Sequence, residues 1–176
     1  WDCTSNAFVK DGSLYIPTAF CSYNGAALDN KTPLLRSMEA IDKVSLKVLK
    51  LFGINDAKRV IPNVGAEQEY FIIDKETYLQ REDLIYTGRT LFGAKPPKGQ
   101  ELGDQYYGQL KPKIIEYMKD LDHELWTLGV NAKTKHNEVA PAQHELAPVF
   151  ATANVATDHN QLTMEIMKKV ADRHGL

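Results

Sequence analysis

The sequence predicts an α+β fold, on three observations. Stretches rich in β-branched and aromatic residues are mixed with segments that carry apolar residues at helical spacing. The two kinds do not follow a regular βαβ alternation, which disfavours a doubly wound parallel sheet. Pro and Gly cluster between the periodic segments, and neither an internal repeat nor a low-complexity tract is visible.

Leu14 to Tyr23 is β-favouring and follows Asp11-Gly12, so it reads as a strand, with Pro17 marking an edge or bulge. Asn24-Gly25 is a turn signal. Thr32 as N-cap and Pro33 at the first helical position then open a helix. Leu34, Leu35, Met38, Ile41, Val44, Val48 and Leu49 form its apolar stripe, read as core, and Gly53 is the stop. Arg59 to Val64 and Ala66 to Ile73 are strand material, with Gly65 between them as a bulge or close approach. Residues 75–109 read as a long irregular segment, a length that is often functional. Pro112 to Leu128 is a second helix, with Gly129 as its C′ residue. Val130 to Thr134 returns as a strand. Pro141 and Pro148 break residues 138–150 into strand, turn and strand. Thr157 or Asp158 caps a third helix to His174, with Leu162, Ile166, Met167, Val170 and Ala171 buried.

The 176 residues suffice for one sizeable core, and 43% hydrophobic with 25% charged residues is ordinary for a globular protein. A net charge of -2 gives no electrostatic reason to expect nucleic acid or an acidic membrane surface. No apolar run approaches the roughly 20 residues that span a bilayer, and no secretory signal opens the chain. Cys3 and Cys21 are too few for a disulfide framework or an unaided zinc site, and read as reduced structural residues of a cytoplasmic protein. The start at Trp1 and the stop at Leu176, directly after a helical pattern, read as a piece of a longer polypeptide.

Four glutamates carry the chemistry. Glu67 and Glu69 lie in Ala66-Glu-Gln-Glu-Tyr-Phe-Ile-Ile-Asp74, and Glu138 and Glu145 in His136-Asn-Glu-Val-Ala-Pro-Ala-Gln-His-Glu-Leu146. Both stretches are largely apolar and contain no Lys or Arg, so their carboxylates need another source of positive charge. On a strand, Glu67 and Glu69 point to one face, together with Phe71 and Ile73. Two such acids cannot both ionise cheaply unless a cation neutralises them, or unless the strand end faces water. An oxygen-rich cluster suits Mg²⁺ or Mn²⁺ better than zinc. His136 and His144 do not match a zinc motif and read as orienting or packing groups. Glycoside hydrolysis needs two carboxylates and not four. Walker A and Gly-x-Gly-x-x-Gly motifs are both absent.

These residues resemble the glutamine synthetase family. Glu67-Gln-Glu69-Tyr-Phe is similar to its Glu-x-Glu-Phe strand. The segment from His136 to Glu145 is similar to its His-His-Glu-Val-Ala-Pro-Gly-Gln-His-Glu element, with the same spacing between the glutamates. Trp1-Asp-Cys-Thr-Ser5, Lys31-Thr-Pro-Leu-Leu-Arg-Ser37, Thr87-Gly-Arg-Thr-Leu-Phe-Gly93 and Asp158-His-Asn-Gln-Leu-Thr-Met164 resemble the long type III branch. The resemblance implies a partial catalytic domain over residues 1–176, with a mostly antiparallel sheet flanked by helices. A β-grasp domain would precede Trp1 and the rest of the catalytic domain would follow Leu176.

The resemblance further implies ATP-dependent ligation of ammonia to glutamate through γ-glutamyl phosphate, with two or more Mg²⁺ or Mn²⁺ ions per site. Glu69, Glu138 and Glu145 match the ligands of one metal and Glu67 a ligand of the second. No catalytic residue beyond metal ligands is assigned. Phe150 matches an aromatic position near the adenosine pocket, although a core Phe is the plainer reading. Two positions depart from the pattern: Asn137 replaces the second His, and Lys133 stands where a nucleotide-contacting Glu is often found. The implied parent is a cytoplasmic homo-oligomeric ring, a dodecamer, of which this piece alone would be inactive. A γ-glutamyl-amine ligase and an inactive homologue with a binding role are the alternatives.

Overall fold

A computed structural model describes the backbone of residues 1–176 and every side chain except that of Thr134. Strands and helices are mixed, and every strand pairing is antiparallel. Two compact units are present: residues 1–66 with 150–161, and residues 67–149 with 162–176. Among the described residues no helix is long and apolar enough to cross a membrane.

The first unit opens with a hairpin of β1 (Phe8–Lys10) and β2 (Ser13–Tyr15). Asp11 and Gly12 turn it with φ of 51° and 73°, the left-handed pair that matches strand twist in a tight hairpin. The strand stops at Tyr15 and does not run to Tyr23, because Pro17 offers no N–H for a ladder. Cys21 and Ala27 form one bridge around Gly25, whose φ is 85°. Both cysteines are free and exposed.

Helix α1 spans Lys31–Leu51. Thr32 is not its N-cap. Its N–H is bound instead by the Asp29 carboxylate at 2.9 Å, while its hydroxyl donates to the Phe20 carbonyl at 3.0 Å. At the far end Gly53 N–H reaches Lys50 O and Ile54 N–H reaches Leu49 O, both at 3.0 Å, the pattern of a Schellman cap. The apolar stripe of α1 is not core. Ile41, Val44 and Val48 are 45–55% exposed, and Thr32 is the one buried residue of the helix. The small sheet of β3 (Asn63–Val64) with β7 (Ala151–Thr152) is too short to cover a helix of six turns.

A polar network ties this unit together. Asp2, with a side chain 3% exposed, accepts from Thr4 N and Oγ1, Ser5 Oγ and Asn154 Nδ2, and pairs with Lys31 Nζ at 3.1 Å. Lys31 also pairs with Asp158, which accepts from Ser5 Oγ. Burial alone would raise the Asp2 pKa, but the bonds from Thr4, Lys31 and Asn154 outweigh it and hold the carboxyl well below the usual range. Burial likewise lowers Lys31, and Asp158 and Asp2 more than reverse this. Asp158 and Thr157 are therefore not caps. Helix α5 (Ala153–Arg173) starts before them, and Thr157 Oγ1 bonds back to Ala153 O.

The second unit holds the sheet that matters. Its strands β4 (Gln68–Phe71), β5 (Ala132–Asn137) and β6 (Gln143–Pro148) stand in the order β4-β6-β5. The segment expected to be irregular folds in its first third into α2 (Lys75–Leu79) and α3 (Glu82–Thr87), each with acidic residues in its first turn. Asp74 caps α2 by accepting from Glu76 N. Gly88, at φ 69°, ends α3. The strap that follows is bound back through Asp83, which pairs with Arg81 and accepts from Leu91 N. Helix α4 (Pro112–Thr127) begins at its proline and ends at Gly129 with the same cap as α1. Its Ile114, Tyr117, Met118, Leu121 and Leu125 pack with Val130, Ala132, Leu146, Ile166, Met167 and Val170 as the core. Of the stripe expected on the third helix, Leu162, Ile166, Met167 and Val170 are buried and Ala171 is partly buried.

Leu121, fully buried at 0% exposure, tests this core: Leu121→Ala should cost about 3 kcal/mol in urea unfolding. In the first unit, Lys31→Met leaves the buried Asp2 carboxylate without its cation. It should cost about 3 kcal/mol by the same measurement.

Candidate functional site

Strand pleat divides the side chains of the three-stranded sheet. Tyr70, His144 and Leu146 face α4 and α5, and Lys135 pairs there with the buried Asp122. The Tyr70 hydroxyl is buried without a partner among the described residues, and burial, helped by Tyr117 and Asp122, keeps it protonated. The alternate positions point the other way. Glu69 lies directly opposite Glu145 across β4 and β6, and Glu145 lies directly opposite His136 across β6 and β5. Three strands thus lay Glu69, Glu145 and His136 in one row. Side chains so paired start about 5 Å apart.

Glu67 precedes β4 by one residue and shares the parity of Glu69. Both are exposed, as are Phe71 and Ile73, at 64% and 44%. Glu138 sits in the turn between β5 and β6, where its N–H bonds Gln143 O at 2.9 Å. Ala142, at φ 60°, closes that turn just after Pro141. The segment 138–150 holds a turn and the strand β6; the first strand expected inside it is instead β5, which ends at Asn137, before Glu138.

The site is graded in burial. Glu145 is on the central strand and 8% exposed, whereas Glu69 is on an edge strand and open to water. His136 Nε2 stands 3.0 Å from Glu145 Oε2, and its Nδ1 is 3.6 Å from Glu138 Oε1. Ligand atoms of His136, Glu138 and Glu145 all lie within 4.8 Å of one another. Gln143 Nε2 donates to Glu69 Oε2 at 3.1 Å and steadies that carboxylate. Burial raises the Glu145 pKa. A hydrogen bond with Glu138 and the charges of Glu67 and Glu138 add to this, and His136 opposes it; the carboxyl is pushed up to about 7.

These donors fit a divalent cation. Two carboxylates and an imidazole converge, and a third carboxylate stands beside them in the row. The raised Glu145 pKa marks an excess of negative charge that a cation would relieve. The sequence reading takes His136 as an orienting or packing group, and the structure places it beside Glu138 and Glu145. Its i, i+2 spacing from Glu138 was the available signal, since on a strand that spacing shares a face. Phe150 belongs to the other unit and is 67% exposed, so it is not a core residue.

An antiparallel sheet with helices on one face and a carboxylate-rich row on the other defines a candidate oxygen-donor cation site in an α+β protein. Residues 47–176 match the family profile described as glutamine synthetase, catalytic domain, and residues 1–37 match glutamine synthetase type III N terminal. The chain belongs to the glutamine synthetase family, in its type III branch. It is 64% identical to a glutamine synthetase of Butyrivibrio fibrisolvens over 97% of its length, and 52% identical to the type-3 glutamine synthetase of Dictyostelium discoideum over 100%. It covers 24% of each of these relatives, about a quarter of their length. A glutamine synthetase of Plasmodium falciparum shares the fold with a TM-score of 0.55 at 19% identity, over 98% of this chain and 35% of that one.

The Glu145 shift sets a pH dependence. The folded-state pKa is raised, so a proton and a cation compete for the site near neutrality. Mn²⁺ affinity, read by isothermal titration, should rise with pH up to about 7 and then level off. Glu145→Gln should flatten that profile and weaken binding.

Proposed function

We propose that this chain is part of the catalytic apparatus of an enzyme that joins ammonia to glutamate at the expense of ATP, through γ-glutamyl phosphate. One observation carries the reading: Glu69 and Glu145 are cross-strand partners, and Glu138 closes on Glu145 from the adjoining turn. These three acids would hold one Mg²⁺ or Mn²⁺ ion, and Glu67 would contribute to a second. When bound, the ions supply charge neutralisation for the phosphates of ATP during transfer.

The chain's own residues supply position. Glu145 is held on the rigid central strand, and Glu69 is steadied by Gln143. The open side of the row leaves room for substrate carboxylate and phosphate groups. Pre-set donors of this kind act by orientation and electrostatics, without a nucleophile. Phe150 offers an exposed aromatic face for a nucleotide base. The full-length protein would work as a cytoplasmic ring of identical subunits, a dodecamer, with neither nucleic acid nor membrane as a partner, and this stretch alone would be inactive.

The full-length protein should release phosphate from ATP only when glutamate, ammonia and Mg²⁺ or Mn²⁺ are all present. Turnover with a larger amine but not with ammonia would assign it to the γ-glutamyl-amine ligases. Absence of any turnover would point to an inactive homologue. Glu138→Gln should weaken divalent-ion binding by at least about tenfold, and an unchanged affinity would remove Glu138 from the ligand set.

A further inference from the structure

We propose that Asn137 is a positioning residue for the candidate cation site. It clamps the 104–108 loop to the sheet and fixes the ring of His136, so that Nε2 is held beside Glu145. This inference rests on the cation reading above. Asn137 ends β5 and lies directly opposite His144. Its amide is used on both sides. Nδ2 donates to the Gly108 carbonyl at 2.8 Å, so Oδ1 is left to accept from His144 Nδ1 at 3.0 Å. His144 is buried, at 6% exposure, and that contact sets its tautomer. The backbone does the same for the other histidine. The Asn137 carbonyl accepts from His136 Nδ1 at 2.7 Å, and Nε2 of the same ring stands 3.0 Å from Glu145 Oε2. A ring fixed in this way keeps its other nitrogen in one place beside the carboxylates of the site.

The loop side is built to match. A Cβ at Gly108 would lie 3.1 Å from the Gln105 carbonyl and 3.4 Å from Asn137 Nδ2, so the close approach favours glycine. The same loop sets the Tyr106 ring 4.8 Å from the His136 ring, tilted by 54°. His136 is thus held at Nδ1 by the Asn137 backbone and on its ring by Tyr106, whose loop is fastened by the Asn137 side chain. Removing that amide frees the loop and loosens the ring.

The test uses the full-length protein with Asn137→Ala and Asn137→Leu, neither of which changes charge. Gly108→Ala presses on the clamp from the other side. Mn²⁺ binding is read by isothermal titration, and thermal unfolding is followed without metal. The expected result is a Mn²⁺ affinity at least about tenfold weaker in all three, with midpoints within a few degrees of the parent. Glu138→Gln serves as the control. If it weakens Mn²⁺ binding while the Asn137 variants stay within about twofold of the parent, the positioning role is overturned and the cation reading stands. Lower midpoints with unchanged Mn²⁺ affinity would make Asn137 purely structural and overturn the role too. If Glu138→Gln itself leaves binding unchanged, the cation reading falls and takes this inference with it. Should the Asn137 variants fail to fold, Gly108→Ala decides alone.

Discussion

Coverage of one face of the β4-β6-β5 sheet by α4 and α5 is the constraint behind the site. Tyr70 and Leu146 pack into the core, so their neighbours in sequence must turn outward. Glu69 and Glu145 are those neighbours. A register slip of one residue would bury both acids against Met118 and Leu121 and expose the leucine, at a cost no small domain could bear. The hydrophobic core therefore fixes the register, and the register aligns the donors.

Position within the sheet then differentiates acids of one chemical type. The central strand keeps Glu145 from water, and the edge strand leaves Glu69 hydrated. Burial and the neighbouring carboxylates make the Glu145 carboxyl hard to ionise. His136 lies at the buried end, where an imidazole lowers the cost of charge on Glu145. The turn carrying Glu138 is shaped by Pro141 and the left-handed Ala142, so a strained corner delivers a carboxylate that a straight strand could not.

Much of this was legible in the residues. Pro112 and Gly129 bracket α4 as read, because local chemistry at helix ends is short-range. The stripe of α5, Ala171 apart, and the shared face of Glu69 and Glu145 were legible because period encodes a face. Long-range partners were not visible. Thr157 and Asp158 look like caps, yet Asp158 is held by Lys31, 127 positions away. Thr32 looks like a cap, yet Asp29 and Phe20 fix its place. The α1 stripe has a strong period but lacks a matching cover in its unit, and a period cannot report whether a partner exists. Asn137 looked like a defect in a motif. Only its two hydrogen bonds, one of them to a loop 29 residues earlier, give it a role.

The Asp2 cluster, seen so far only as a fastening, has a further consequence beside Glu145. Its carboxyl keeps its charge far into acid, because four neighbouring groups donate to it and an ammonium lies against it. Its support for folding is complete above the ordinary aspartate range and fades only as pH falls through the lowered value. Glu145 gives up its charge near neutrality. The two carboxyls lose their charge at opposite ends of the acid range. Mild acidification therefore protonates Glu145 while this fastening keeps its charge.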